Sequence, residues 1–460
     1  LYRHSMKKKY VRWTLWTIAS PFILFIILCI LIYLPPIQNF LVDKAAVYAS
    51  EATGMNISVG RISLSFPLNL VVTDVDAASP HKDTLLSVRR LQVNVQLLPL
   101  LKKQVEVDGI SLQGATVNSN DLIHGMRLNG TLGELFISSH GVALDPETAI
   151  VNKVLLKDTD LSLCLNDTAA VDTAASDTTY WKIILQDIDL QNVSFALDMP
   201  LDSLSLAASL DNAILRDGLI DLHKSAYSLQ TFRIKNGRVR YDSGKPLAAD
   251  SLPSGLDPSH IALTDIGVKL DSLYYEGRNM KAIISQFVLK ERSGVEIVSA
   301  TGRMVSNDKV LRVPSLKLET RDSYLELNAA MDWNALDFKG EGLVSARLMA
   351  DIGKPDVVRF MGRMDEKFVR QYPSEPLRIR TGIDGDLNKL KLTTLTAELP
   401  GALGLFARGE LTHLTDSLLR GGDITLEAET KDLKFVSTLA EGIEIPYGTR
   451  LEGKFTMAGA

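Results

Sequence analysis

Apolar residues recur at every second position along most of this 460-residue chain, and that period of two commits it to strands with one apolar and one polar face. Ile57 and Val59 begin the pattern, Gly60 permits a slip, and Ile62, Leu64 and Phe66 resume it. Leu91, Val93, Val95 and Leu97 alternate with Gln92, Asn94 and Gln96, and Val105 and Val107 lead to Ile110 and Leu112 across Asp108-Gly109, a predicted turn or bulge. The mode continues through Ile188, Leu190, Val193, Phe195 and Leu197, then Leu204, Leu206 and Leu210. Later come Leu316 and Leu318, the run Leu325, Leu327, Ala329 and Met331, and Leu403, Leu405 and Ala407. Asn236-Gly237, set between Phe232/Ile234 and Val239/Tyr241, is the strongest hairpin signal.

The N-terminus follows another rule. A basic tip (residues 1–12, with Arg3, Lys7, Lys8, Lys9 and Arg12) runs into an uncharged segment, residues 13–34, closed by Pro35-Pro36. Twenty-two helical residues reach about 33 Å, enough for a hydrocarbon core of about 30 Å. Trp13, Trp16 and Tyr33 sit near its ends, where amphipathic rings favour the interface, and Phe22 and Phe25 fill its middle. A cleaved signal peptide has a shorter apolar run and a small-residue exit, whereas this segment ends Ile32-Tyr33-Leu34-Pro35-Pro36. The segment is therefore read as a retained membrane anchor, with the basic tip cytoplasmic and the rest of the chain on the far side.

Composition narrows the partners. Removing the first 35 residues takes away five basic residues and no acidic one, leaving 45 basic against 55 acidic. A mildly acidic body without basic clusters argues against nucleic-acid binding. Cys29 lies in the apolar segment and Cys164 stands alone, so no disulfide framework is expected. The seven histidines are scattered without ligand spacing, and no nucleophile elbow, phosphate loop or dinucleotide fingerprint occurs. Acidic pairs such as Asp158/Asp160 and Asp187/Asp189 alternate with apolar residues and read as water-facing strand positions. The expectation is a protein with no catalytic site, no metal and no cofactor.

The expected organisation places an amphipathic helix over residues 37–53, with Gly54 at its C-terminal cap, inside an N-terminal module spanning residues 35–165. A low-complexity loop follows at 166–181, and a strand array fills 182–460, ending in mid-pattern as though more chain follows. The loop at 243–260 is rich in Pro, Gly and Ser, and one further helix is predicted over 356–370, with Val357, Phe360, Met361, Met364 and Phe368 on one stripe. The alternating faces fit either a sandwich or barrel that buries them, or an open sheet whose apolar face takes a ligand. Periodicity alone does not choose between these.

A resemblance adds to this reading. Thr53-Gly54 followed by Ile57 to Leu64, Leu70 to Val75, the stretch from Leu85 to Leu97 with Arg89-Arg90, Leu98 to Leu101, and Val105 to Gly114 resemble in order and spacing the N-terminal module of the AsmA-like superfamily. Ile383 to Leu387 with Leu390, and Leu403 to Leu411, are similar to the strand repeats of its TamB-type members. The resemblance implies a mostly β fold: a transmembrane helix and a short amphipathic helix, then an elongated, curved, open β-groove of repeated antiparallel strands. It also implies a single-pass inner-membrane protein with its bulk in the periplasm. The implied activity is passive conduction of phospholipid towards the outer membrane, or assembly of outer-membrane proteins together with an outer-membrane partner. The C-terminal region that would meet that partner lies outside these residues. On this reading Leu91, Val93, Val95, Leu97, Val105 and Val107 are the groove-lining candidates, and Trp13, Trp16, Phe22, Phe25 and Tyr33 the anchor.

Overall fold

The computed structural model describes residues 44, 46–47, 50–51, 54–65, 69–79, 84–96, 107–119, 125–143, 147–166, 180–244, 255–337, 342–362, 365–439 and 446–457. The fold is mostly β, with twenty-one strands and few helices among these residues. The anchor residues Trp13, Trp16, Phe22, Phe25 and Tyr33, and the groove candidates Leu97 and Val105, lie outside the described residues. Residues 44, 46, 47, 50 and 51 are helical. Gly54 then takes φ +70 and donates its N–H to Ser50 O at 2.9 Å, the left-handed geometry that ends a helix.

The strands group into two compact units, one holding the described parts of residues 1–142 and 151–163, the other those of 143–150 and 164–460. The first contains β1 (Asn56–Ser65), β2 (Asn69–Ala78), β3 (Thr84–Val95), β4 (Val107–Asn118) and β5 (Met126–Ala143), each antiparallel to the next. β6 (Thr148–Leu165) is shared in sequence between the two units.

The second unit begins with β7 (Lys182–Met199), β8 (Leu204–Asp221), β9 (Ala226–Leu229), β10 (Thr231–Ser243) and β11 (His260–Glu276). It continues through β12 (Asn279–Glu291), β13 (Glu296–Ser306), β14 (Val310–Thr320), β15 (Tyr324–Asp332) and β16 (Leu343–Ile352). β17 (Leu377–Asp386), β18 (Lys389–Leu399), β19 (Leu403–Thr412), β20 (Gly421–Thr430) and β21 (Arg450–Met457) complete it. From β10 onwards every strand pairs antiparallel with its successor. β8 bridges β7 to both β9 and β10, which follow one line broken only at Gln230.

Phase slips in the sequence become bulges in the strands. Asn236-Gly237 does not turn a hairpin: β10 runs straight through it, with β8 on one side and β11 on the other. Asn236 sits at φ +54, and a single left-handed residue shifts the side-chain phase by one without reversing the chain. The neighbours do the same, with Asn192 at φ +52 in β7 and Asp265 at φ +53 in β11. In the first unit Asp74 at φ +53 stands beside Gly60, where an added Cβ would lie 2.9 Å from Asp74 Cβ. Asp108-Gly109 likewise marks a register shift within the β3–β4 ladder rather than a turn. Because adjacent strands slip together, the apolar residues stay on one face after each slip.

The helix expected over 356–370 is two helices: α2 (Lys354–Phe360) and α3 (Glu366–Gln371), preceded in the chain by the single turn α1 (Trp333–Leu336). Gly362, at φ +75, breaks the stripe. It packs so closely on Gly255 that a Cβ there would lie 2.5 Å from Gly362 Cα. The predicted stripe is therefore split: Phe368 is 1% exposed, whereas Phe360 is 54% exposed.

Candidate ligand-binding face

Cross-strand partners share a face, so the register fixes the apolar surface residue by residue. In the first unit Leu91 lies between Val72 and Leu112, and Val93 between Leu70 and Ile110. Val95 stands opposite Val107 beyond the bulge. The structure thus brings Leu91, Val93, Val95 and Val107 into one apolar row system, and Leu91, Val93 and Val95 are all half-buried. The opposite face of β3 is polar and bonded along the strand: Arg90 donates to Gln92 at 3.3 Å and Gln92 to Asn94 at 3.1 Å.

The second unit, by itself, shows the same division over more strands; the sequence marks Leu325, Leu327, Ala329, Leu405 and Ala407 as strand positions but not as site residues. Leu327 pairs with Leu348, Leu348 with Thr381, Thr381 with Leu395, and Leu395 with Ala407, one row across β15 to β19. Flanking rows are Leu325, Ala350, Ile379, Ala397 and Leu405 on one side, and Ala329, Ala346, Ile383, Leu392 and Gly409 on the other. The reverse face carries Lys317 opposite Glu326, Arg380 opposite Met349 and Lys391 opposite Glu410. Ion pairs lace it, among them Arg380–Asp351 at 2.8 Å and Lys389–Glu410 at 3.3 Å.

The apolar rows of the second unit are only partly buried. Inner-face side chains of a sandwich are buried between two sheets. Here Leu325, Leu327, Leu348, Ile379, Ile383, Leu392 and Leu395 are all only half-buried, flanked by their ladder neighbours. Ladder positions that do reach full burial include alanines such as Ala213, Ala300, Ala350 and Ala407, short enough for their neighbours to cover.

Two small cores close the margins of this face. At one set of strand ends Phe368 and Tyr372 of α3 pack with Leu399, Ala402 and Phe435, and Leu377 and Leu403 join them. Phe368 meets Phe435 edge-on at 5.8 Å, and burial pushes the Tyr372 phenol up. Lys354 Nζ donates to Tyr372 O at 2.7 Å, tying α2 to the end of α3. At the other ends Ala335 of α1, Val344 and Leu387 pack with Met331, Ile383, Leu390 and Leu414. The three rows cover about 13 Å along the strands at roughly 3.3 Å per residue, and Ile383 of the third row belongs also to the second core.

A buried polar knot fixes α2. The Asp356 carboxylate, 1% exposed, accepts from Thr320 Oγ1, from Ser323 Oγ at 2.6 Å and from Arg359 Nη1 at 3.1 Å, while Arg359 also pairs with Asp322 at 2.8 Å. The knot ties α2 to the turn between β14 and β15. Two tyrosines beside glutamates are also shifted: Tyr274 and Tyr324 are raised by hydrogen bonds to Glu276 and Glu326. Among the described residues no three His, Cys, Asp or Glu side chains gather as metal ligands, and no helix is long and apolar enough to cross a membrane. Compared with known proteins, the chain matches no family model and no curated sequence.

Proposed function

We propose that the chain conducts phospholipid by holding its acyl chains on this apolar face, as an AsmA-like, TamB-type protein tethered in the inner membrane by residues 13–34. The observation that carries the reading is the half-burial of Leu and Ile in adjacent rows between two closed margins. A face of that kind offers methylenes a partner at about 0.8 kcal/mol each when buried. About fourteen methylenes with half their surface covered gain about 6 kcal/mol, enough to hold a chain and weak enough to let it move. Head groups remain in water, no residue performs bond chemistry, and the protein acts as a passive conduit in the periplasm. The test is lipid extraction from the purified full chain, alongside Leu327→Asp and Leu348→Asp. Phospholipid should co-purify with the parent and fall severalfold in the variants at unchanged strand content; parent protein free of phospholipid overturns the proposal.

A further inference from the structure

The polar face of the second unit carries an arrangement that lipid conduction does not use. Arg233 of β10 stands directly opposite Lys269 of β11, and Lys235 follows two residues along on the same face. Cations at directly opposed positions repel, since their Cβ atoms are about 5 Å apart, and sheets normally set a carboxylate there. The nearby carboxylates are committed elsewhere. Asp265 pairs with Lys290 at 2.9 Å, Asp211 accepts from Asn236, and Asp189 accepts from Gln191 and Asn212 at 3.1 Å. Lys269 reaches Asp271 only at 3.8 Å, beyond hydrogen-bond distance. The three cations line one depression of about 700 Å³, with Ile214 and Val288 also in its wall, Gln286 offering an amide, and Asp265, held by Lys290, as the one carboxylate of the lining. That volume lies in the range of small-ligand sites.

We propose that Arg233, Lys235 and Lys269 form an anion site for a phosphate group on the polar face of the sheet. A guanidinium and two ammonium groups offer charge-assisted donors to tetrahedral oxygens, and a bound dianion turns their mutual repulsion into attraction. The phosphate comes either free in solution or as the diester of a lipid head group, which presents the same oxygens.

The experiment is the melting temperature of the full chain in non-ionic detergent, at matched ionic strength. Sodium phosphate is compared with sodium chloride, and dihexanoyl phosphatidylglycerol with dihexanoylglycerol, which lacks the phosphate. A saturable rise with phosphate, weakened about tenfold in affinity for each cation removed in Arg233→Gln and Lys269→Gln, establishes the site with the free anion as its source. A rise specific to the phosphatidyl lipid and lost in the same variants establishes it with a head group as source. Lys269→Gln should also melt no lower than the parent without phosphate, because it removes a repulsion. No saturable response to either phosphate compound, or a response that survives in both variants, overturns the proposal.

Discussion

Replacing Leu327 by alanine separates an open sheet from a closed core by energy. Leu327 sits in the middle row of the apolar face, between Leu316 of β14 and Leu348 of β16, and is half-buried. The substitution removes three carbons, worth about 2.4 kcal/mol at full burial. Partial burial reduces that to about 2 kcal/mol, and on an open face no cavity term is added. Phe368→Ala is the counterpart: this ring is 1% exposed and packed between Tyr372 and Phe435, so its loss leaves a void and costs about 3–5 kcal/mol. Repeat-like arrays need not unfold in one step, so the assay is native-state hydrogen exchange of the β15 and β18 amides, with denaturant melts in support. Equal losses of 3 kcal/mol or more at both sites would mean that Leu327 is roofed over, and the single-layer account would fail.

The bulges and the exposed carboxylates give two further predictions. Asn236→Ala forces a Cβ-bearing residue that dislikes φ +54 and removes the side-chain bond to Asp211, so a loss of about 1–2 kcal/mol is expected in denaturant melts; Asn236→Gly, free of the backbone penalty, should lose less. The Asp423 carboxyl is held below the usual carboxylate range, first by the hydrogen bond from Thr456 Oγ1 at 2.7 Å and then by Lys454 at 3.5 Å. A depressed folded-state pKa contributes stability above the unfolded value and loses it as pH falls through the folded one. Thr456→Val should therefore move the Asp423 titration upward in a carboxyl-resolved NMR experiment, and an unmoved titration would refute the assignment.

Much of the fold is legible because alternation is a backbone property. Leu325, Leu327, Ala329 and Met331 announce β15, and their register places them all on one face. The misreadings share a cause. Asn-Gly is favoured in hairpins and in bulges for the same reason, tolerance of positive φ, and only the flanking strands β8 and β11 show which one Asn236-Gly237 makes. The stripe from Val357 to Phe368 has helical spacing, but the approach of Gly255 to Gly362 is a tertiary event that no local pattern reports. The apolar face of β3 in the first unit is readable from apolar spacing. The floor at Leu348, Ile379 and Leu395 in the second unit is not, because whether an apolar face is covered depends on packing that periodicity does not encode.

The most direct measurement places a photo-crosslinking residue at Leu327 in cells, with Asn328, an exposed neighbour on the polar face, as the control. Adducts are identified by mass spectrometry. The account predicts phospholipid adducts at Leu327 and none at Asn328. Intramolecular links alone at Leu327, with no lipid, would mean that the apolar face is covered by the protein itself and would contradict the account.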